Sequence, residues 1–141
     1  MASVITCEEV NAFFRQAFPQ LQEGLIAEEL GDGTATVRCA VQDWMLRPGE
    51  LISGPAQFTL ADTATYTAVF TKLGITPMAV TTNTNINFLS PCPAGDVRAK
   101  AELVKLGRRT ALAQVEIYGD GQDHMASHAM VSFALPQAKG M

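Results

Sequence analysis

Hydrophobic and polar positions along the chain follow a helical period at first and change to a period of two further on. Val10, Phe13, Phe14 and Ala17 recur at i, i+3, i+4 and i+7, the apolar stripe of a short helix. Thr6 followed by Glu9 is a capping-box signature ahead of that stripe, and Pro19 closes it, so a helix is expected over about residues 7–18. Leu25 to Leu30 and Thr34 to Val41 read as two short strands, joined by Gly31-Asp32-Gly33, which supplies the positive φ that a tight hairpin needs. Trp44 to Gly54 carries Pro48, Gly49 and Gly54 and reads as a loop.

The run from Pro55 to about Lys72 is the longest element expected. Proline suits the first turn of a helix, where its missing N–H leaves nothing unpaired. The run is rich in Ala and Thr with few charges, which predicts burial around most of its circumference. Gly74 and Pro77 end it. From Met78 the period becomes two. Met78–Phe88, Val97–Leu106, Thr110–Tyr118 and Met125–Leu135 read as four strands, with short links that favour antiparallel neighbours. One buried helix against a large antiparallel sheet is an α+β arrangement, expected as one domain over 1–141 with its core at about 25–135.

Bulk properties narrow the function. At 141 residues the chain is long enough for a hydrophobic core. A net charge of −4 with no clustered basic surface argues against a nucleic-acid partner. No apolar run reaches the ~18 residues that a membrane span needs. The start, MASVITCEEV, does not read as a signal peptide. Cys7, Cys39 and Cys92 are odd in number and widely spaced, which fits reduced thiols and a cytoplasmic location.

Three features could carry chemistry. Asp62 sits in the middle of the apolar helix with no Lys or Arg at helical spacing. A buried carboxylate there needs hydrogen bonds or a raised pKa, and the hydroxyls of Thr59, Thr65 and Tyr66, or solvent, are the local ways to satisfy it. Gly54 and Pro55 open the helix, whose N-terminus presents unpaired N–H groups able to hold a developing oxyanion, or which simply starts at a turn. Strict alternation places Thr81, Asn83, Asn85 and Asn87 on one face of the next strand, lining a cleft or an interface, or marking a solvated edge. His124 and His128 lie on the same face of a predicted strand about 13 Å apart, too far to share a metal unaided.

Together SGPAQFTLADTA, AVTTNTNINFLSP and GDVRAKAELVKLGRRTALAQVEIYGDG resemble the PaaI-like branch of the hotdog acyl-CoA thioesterases, over about residues 44–135. The resemblance implies a hotdog fold, a curved antiparallel sheet wrapped around one long helix. In that family the helix start is usually His-Gly-Gly, with a carboxylate nine residues after the His. Ser53, Gly54 and Pro55 stand at those three positions here, and Asp62 at the carboxylate.

By this resemblance the Gly54 N–H polarises the thioester carbonyl. Asp62 of the neighbouring subunit activates water or attacks directly, and Thr81 positions the water. The family is an obligate homodimer, often a homotetramer, and needs no metal or redox cofactor. Ser53 replaces the family His, and Pro55 has no N–H. Arg47 takes the place of a family Asn that contacts the thioester, and is suited to a CoA phosphate or a carboxylated acyl group. Asn83, on the polar strand, joins Arg47 and Ser53 as a candidate substrate contact. Arg108 and Arg109, in the turn before the third of the four strands, are candidates for CoA phosphates because guanidinium forks suit phosphate. The activity expected is acyl-CoA hydrolysis. A non-catalytic acyl-CoA binder is the alternative from another class, and a hotdog hydratase is disfavoured by Ser53 in place of His.

Overall fold

The computed structural model describes residues 2–19 and 24–137. Helix α1 spans Cys7–Ala17, and the capping box forms: Thr6 Oγ1 accepts from the Glu9 N–H at 3.2 Å, and Glu9 Oε1 accepts from the Thr6 N–H at 3.1 Å. Val10 and Phe14 are buried and Phe13 packs at the core's edge, but Ala17, the last residue of the expected stripe, is exposed.

Strands β1 (Leu25–Leu30) and β2 (Thr34–Cys39) form a hairpin turned by Gly33 at φ +78°. The segment expected as a plain loop contains a short 3-10 turn, Asp43–Met45, and a tiny hairpin, β3 (Leu46–Arg47) with β4 (Leu51–Ile52). Helix α2 then runs from Gly54 to Leu73. The remaining strands are β5 (Val80–Phe88), β6 (Val97–Leu106), β7 (Thr110–Tyr118) and β8 (Ser127–Ala134). β6 and β7 have the expected bounds. β5 and β8 start two residues later than the pattern suggested, so His124 lies in the turn ahead of β8 and shares no strand face with His128.

Six strands form one antiparallel sheet in the order β1-β2-β6-β7-β8-β5. The chain leaves β2, passes through α2, lays β5 on the far edge and returns to place β6 beside β2. Helix α2 packs against β1, β2, β5, β6, β7 and β8, so the sheet wraps it, which is the hotdog arrangement. Inward positions on β7 and β8 are buried in strict alternation. Small residues dominate that face (Ala99, Ala101, Ala111, Ala113, Ala129) and let the helix approach closely.

The threonines of α2 survive burial because each hydroxyl donates to a carbonyl of the preceding turn. Thr63 bonds the Thr59 carbonyl at 2.8 Å, Thr65 that of Ala61 at 3.0 Å, and Thr67 that of Thr63 at 2.8 Å. Their methyl groups are left to pack. At one end of the helix an aromatic cluster ties α1 to α2 and the sheet: Phe70 meets Phe13 edge-on at 5.4 Å and Tyr66 at 4.5 Å, and Tyr66 stacks on Phe133.

The two sheet edges are treated differently. On β1, Asn11 of α1 accepts from the Ala27 N–H at 2.7 Å and donates to the Ala27 carbonyl, and Glu28 and Glu29 add charge. Among the described residues no element covers the outer edge of β5, which carries no charged residue and no proline, and most of its residues are exposed.

Phe70 is wholly buried at the centre of the ring cluster. Phe70→Ala should therefore lower unfolding free energy by about 3–5 kcal/mol in urea titrations. A loss below about 1 kcal/mol would show that the cluster does not anchor α1 and α2.

Candidate active site

Asp62 lies in the third turn of α2, on the side facing β5. Its carboxylate Oδ1 accepts a hydrogen bond from Thr81 Oγ1. None of the three local hydroxyls satisfies it: Thr59 donates to the Pro55 carbonyl at 3.0 Å, Thr65 to that of Ala61, and Tyr66 to that of Pro77 at 2.7 Å. The partner comes from a strand 19 residues along the chain.

A β-bulge puts it there. The pairing of β5 with β8 slips between Thr81 and Asn83, so Thr81 pairs with Phe133 and Asn83 already pairs with Ser132. The side chains of paired residues share a face. Phe133 is buried against α2 and Ser132 is on the outside, so Thr81 points in toward Asp62 while Asn83, Asn85 and Asn87 point away from the helix. The expected single polar row is therefore two sets on opposite faces. Asn83, read as a substrate contact, is parted from Asp62 by the thickness of the sheet. The extra residue of a bulge re-aims its neighbours, which strict alternation does not anticipate.

Asp62 opens into a cleft of about 710 Å³. Its walls are the rings of Phe18, at the C-cap of α1, of Trp44, in the 3-10 turn, and of Phe58 and Tyr66 on α2. Thr59, Thr63 and Thr81 also line it beside Asp62, and among the described residues no cationic side chain does. Burial pushes the Asp62 carboxyl above its ordinary value of 3.8, and the Thr81 hydrogen bond opposes that shift. Tyr66 is pushed up by its burial and by the nearby Asp62 charge. The sequence suggests Phe58, Tyr66 and Met78 as lining residues, and of the three Met78 is not among those that line the cleft. Trp44 and Phe18 were missed; the only signal was a lone Trp in a loop just before the long helix.

The other half of the expected chemistry is two helical turns away. Ser53 is the N-cap of α2, and its Oγ accepts from the Ala56 N–H at 3.2 Å while its carbonyl accepts from the Gln57 N–H at 3.2 Å. Pro55 has no N–H to offer. The Gly54 N–H is left, and among the described residues it meets no acceptor. A side chain at Gly54 would press on the Phe88 ring, 3.2 Å from the position of a Cβ. Gly54 and Asp62 are eight positions apart in one helix, about 12 Å along its axis. One protomer therefore cannot bring both to the same carbonyl.

Arg47, exposed on β3, shares a groove with Gly54, Gln57 and Phe88 and does not line the Asp62 cleft. Arg108 and Arg109 are exposed in the β6–β7 turn, at the end of the sheet where β8 finishes: the Arg109 carbonyl accepts from the Leu135 N–H at 2.8 Å. The structure thus brings Thr81 to Asp62 and Arg47 to Gly54, with Ser53 capping the helix at the Gly54 end. Arg108 and Arg109 lie apart from both. No three His, Cys, Asp or Glu side chains among the described residues are grouped to hold a metal ion.

Comparison with known proteins agrees with this fold. Residues 49–126, more than half of the chain, match the Thioesterase superfamily. A protein of Thermoplasma volcanium provisionally assigned as an esterase is 27% identical over 100 residues, covering 71% of this chain and 74% of the relative. A protein of Silicibacter sp. TM1040 with a provisional thioesterase assignment is 33% identical, and its crystal structure superposes with a TM-score of 0.87 over 96% of this chain and 95% of that one. A point variant of the phenylacetic acid degradation protein PaaI of Thermus thermophilus is 27% identical, with a TM-score of 0.69 over 87% and 98% of the two chains. With a half-buried carboxylate on the wrapped helix, in a hotdog frame whose residues 49–126 match the family, this chain belongs to the Thioesterase superfamily and is a thioester hydrolase by family.

Proposed function

We propose that the protein hydrolyses acyl-CoA thioesters at two equivalent sites, each shared between two subunits of a homodimer. The observation that carries this reading is Asp62, a carboxylate that among the described residues is held by Thr81 alone, in a cleft walled by aromatic rings. Taking such a group out of water costs stability, and a perturbed carboxylate in a cleft is for that reason a candidate functional group.

One Asp62 oxygen is occupied by Thr81, and the other is free to accept a proton from water. Burial makes it a stronger base than an exposed aspartate. The water oxygen attacks the carbonyl carbon, and the carbonyl oxygen, becoming an oxyanion, receives the N–H of Gly54 of the partner subunit. As the tetrahedral intermediate collapses the C–S bond breaks, and Asp62 returns its proton to the departing CoA sulfur. The products are the carboxylic acid and free CoA. The roles of Thr81 and Gly54 follow from where they stand: Thr81 orients the carboxylate, and Gly54 offers the one unengaged donor at the start of α2.

Two features support a shared site. Gly54 and Asp62 are too far apart within one chain to act together. The bare β5 edge, uncharged and proline-free, is suited to pair with β5 of a second copy, whereas Asn11 closes the β1 edge. Exposed apolar side chains at Val80, Phe88 and Leu89 add surface for that contact. Arg108 and Arg109, exposed at the sheet end, are suited to the CoA phosphates.

Scattering mass at micromolar concentration should show a dimer or a tetramer built of dimers, and a stable monomer would remove the shared-site mechanism. Asp62→Asn should lower kcat by about 10²–10⁴-fold in a thiol-release assay with acyl-CoA. The same substitution should not destabilise the protein. Asp62 titrates higher folded than unfolded, so its favourable contribution is present below the ordinary value of 3.8 and lost as pH rises through the folded value. At neutral pH the melting temperature of the variant should equal or exceed that of the parent. Turnover needs the carboxylate, so the acid limb of the kcat profile should lie above 3.8. Thr81→Val removes the interaction that lowers the Asp62 pKa and should move that limb to higher pH; an unmoved limb would deny Thr81 its orienting role.

A further inference from the structure

Tyr66 stands one helical turn after Asp62 on the same side of α2, and both line the cleft. No step of the hydrolysis uses Tyr66, yet it touches the surroundings of Thr81 twice. Its ring stacks on Phe133 with centroids 5.8 Å apart, and Phe133 is the residue of β8 that pairs with Thr81. Its hydroxyl donates at 2.7 Å to the carbonyl of Pro77, which lies four residues before Thr81 in the connection from α2 to β5. That connection is tightened from within: the Ala79 N–H donates to the Thr76 carbonyl at 3.1 Å, and Thr76 Oγ1 to the Gly74 carbonyl at 2.9 Å.

Thr81 needs an anchor of this kind. Ahead of the bulge, β5 offers only Val80 and Thr81 to the ladder, paired with Ala134 and Phe133. The extra residue of a bulge interrupts the ladder, so the register beyond Asn83 constrains that short end weakly. Strand ends with few pairs open locally unless another contact holds them. The Tyr66 hydroxyl supplies that contact from the helix that carries Asp62, and so fixes the strand of the donor against the helix of the acceptor. Burial and the Asp62 charge push the Tyr66 phenol above its ordinary value of 10.0, so the hydroxyl keeps its proton and remains a donor at neutral pH.

We propose that Tyr66 is a positioning residue: through Pro77 and Phe133 it holds Thr81 against Asp62, and it does not itself act on the substrate. The inference rests on Asp62 as the base of the hydrolysis set out above. Tyr66→Phe keeps the ring and its contacts and removes only the hydroxyl. Of the described side chains that line the cleft only Asp62 and Tyr66 titrate, and any charge that a second copy brings near Asp62 is the same in parent and variant. Carboxyl-carbon NMR of Asp62 in the ligand-free protein therefore reads the Thr81 contact without turnover. Tyr66→Phe should move the Asp62 titration to higher pH, as Thr81→Val does, because the hydrogen bond that lowers it loosens. In thiol release from acyl-CoA, kcat should fall by up to about tenfold with KM nearly unchanged, and the acid limb should move with the NMR titration. Added to Thr81→Val, Tyr66→Phe should change neither kcat nor the limb further, since both act through one contact. Tyr118→Phe, on the outer face of the sheet, should leave both readouts as they are. An Asp62 titration unmoved by Tyr66→Phe overturns the inference, even where the melting temperature falls. So does a loss of kcat that persists in full in the Thr81→Val background, because Tyr66 would then act directly. Failure of the hydrolytic reading shows differently, as thiol release that is absent or indifferent to Asp62→Asn, and the NMR titration still decides whether Tyr66 holds Thr81.

Discussion

A helix of 20 residues with threonine where a surface helix would carry charge has to be enclosed, and enclosure requires each hydroxyl to find an acceptor. Thr63, Thr65 and Thr67 meet that requirement by bonding the preceding turn. The helix then behaves as an apolar cylinder, and a sheet wrapped around it is the economical way to bury most of its circumference. The order β1-β2-β6-β7-β8-β5 follows from that wrapping, because β5 is laid at one edge before the chain returns to β2. Small side chains on the inner face of the sheet allow the close approach.

Asp62 is the exception in this cylinder. Its side chain cannot fold back on its own helix as the threonine hydroxyls do, since a carboxylate accepts and does not donate. It needs a donor from elsewhere, and the bulge in β5 turns Thr81 inward to supply one. The same bulge sends the asparagines to the outer face. One extra residue in the strand thus separates a site residue from a surface row.

The helix start has the converse chemistry. Ser53 engages two of its N–H groups, Pro55 lacks one, and the Gly54 N–H is left over. Base and oxyanion donor stand two turns apart on one helix, a geometry that calls for two helices side by side. The uneven treatment of the sheet edges points the same way. Asn11 seals the β1 edge, while among the described residues nothing covers the outer edge of β5, the strand that carries Thr81. The element that orients the base is therefore also the one suited to join two copies.

Much of this was written in local sequence. The period change at Met78, the capping box at Thr6, the proline opening α2 and the glycines of the first hairpin placed nearly every element, because period and turn chemistry act within a few residues. The resemblance carried by the SGPAQFTLADTA segment marked Asp62 and Gly54 as the residues of interest. What local pattern could not reach depends on contacts between distant segments. The partner of Asp62 comes from another strand and is aimed by a bulge, which leaves no periodic signal. The aromatic cleft is assembled from the end of α1, a short turn and α2, so neither Trp44 nor Phe18 is recognisable before the chain is folded. The sequence by itself determined that a lone carboxylate would lie on a buried helix. Only the tertiary structure decided what holds it and what surrounds it, because hydrogen bonds and cavities join residues that are far apart along the chain.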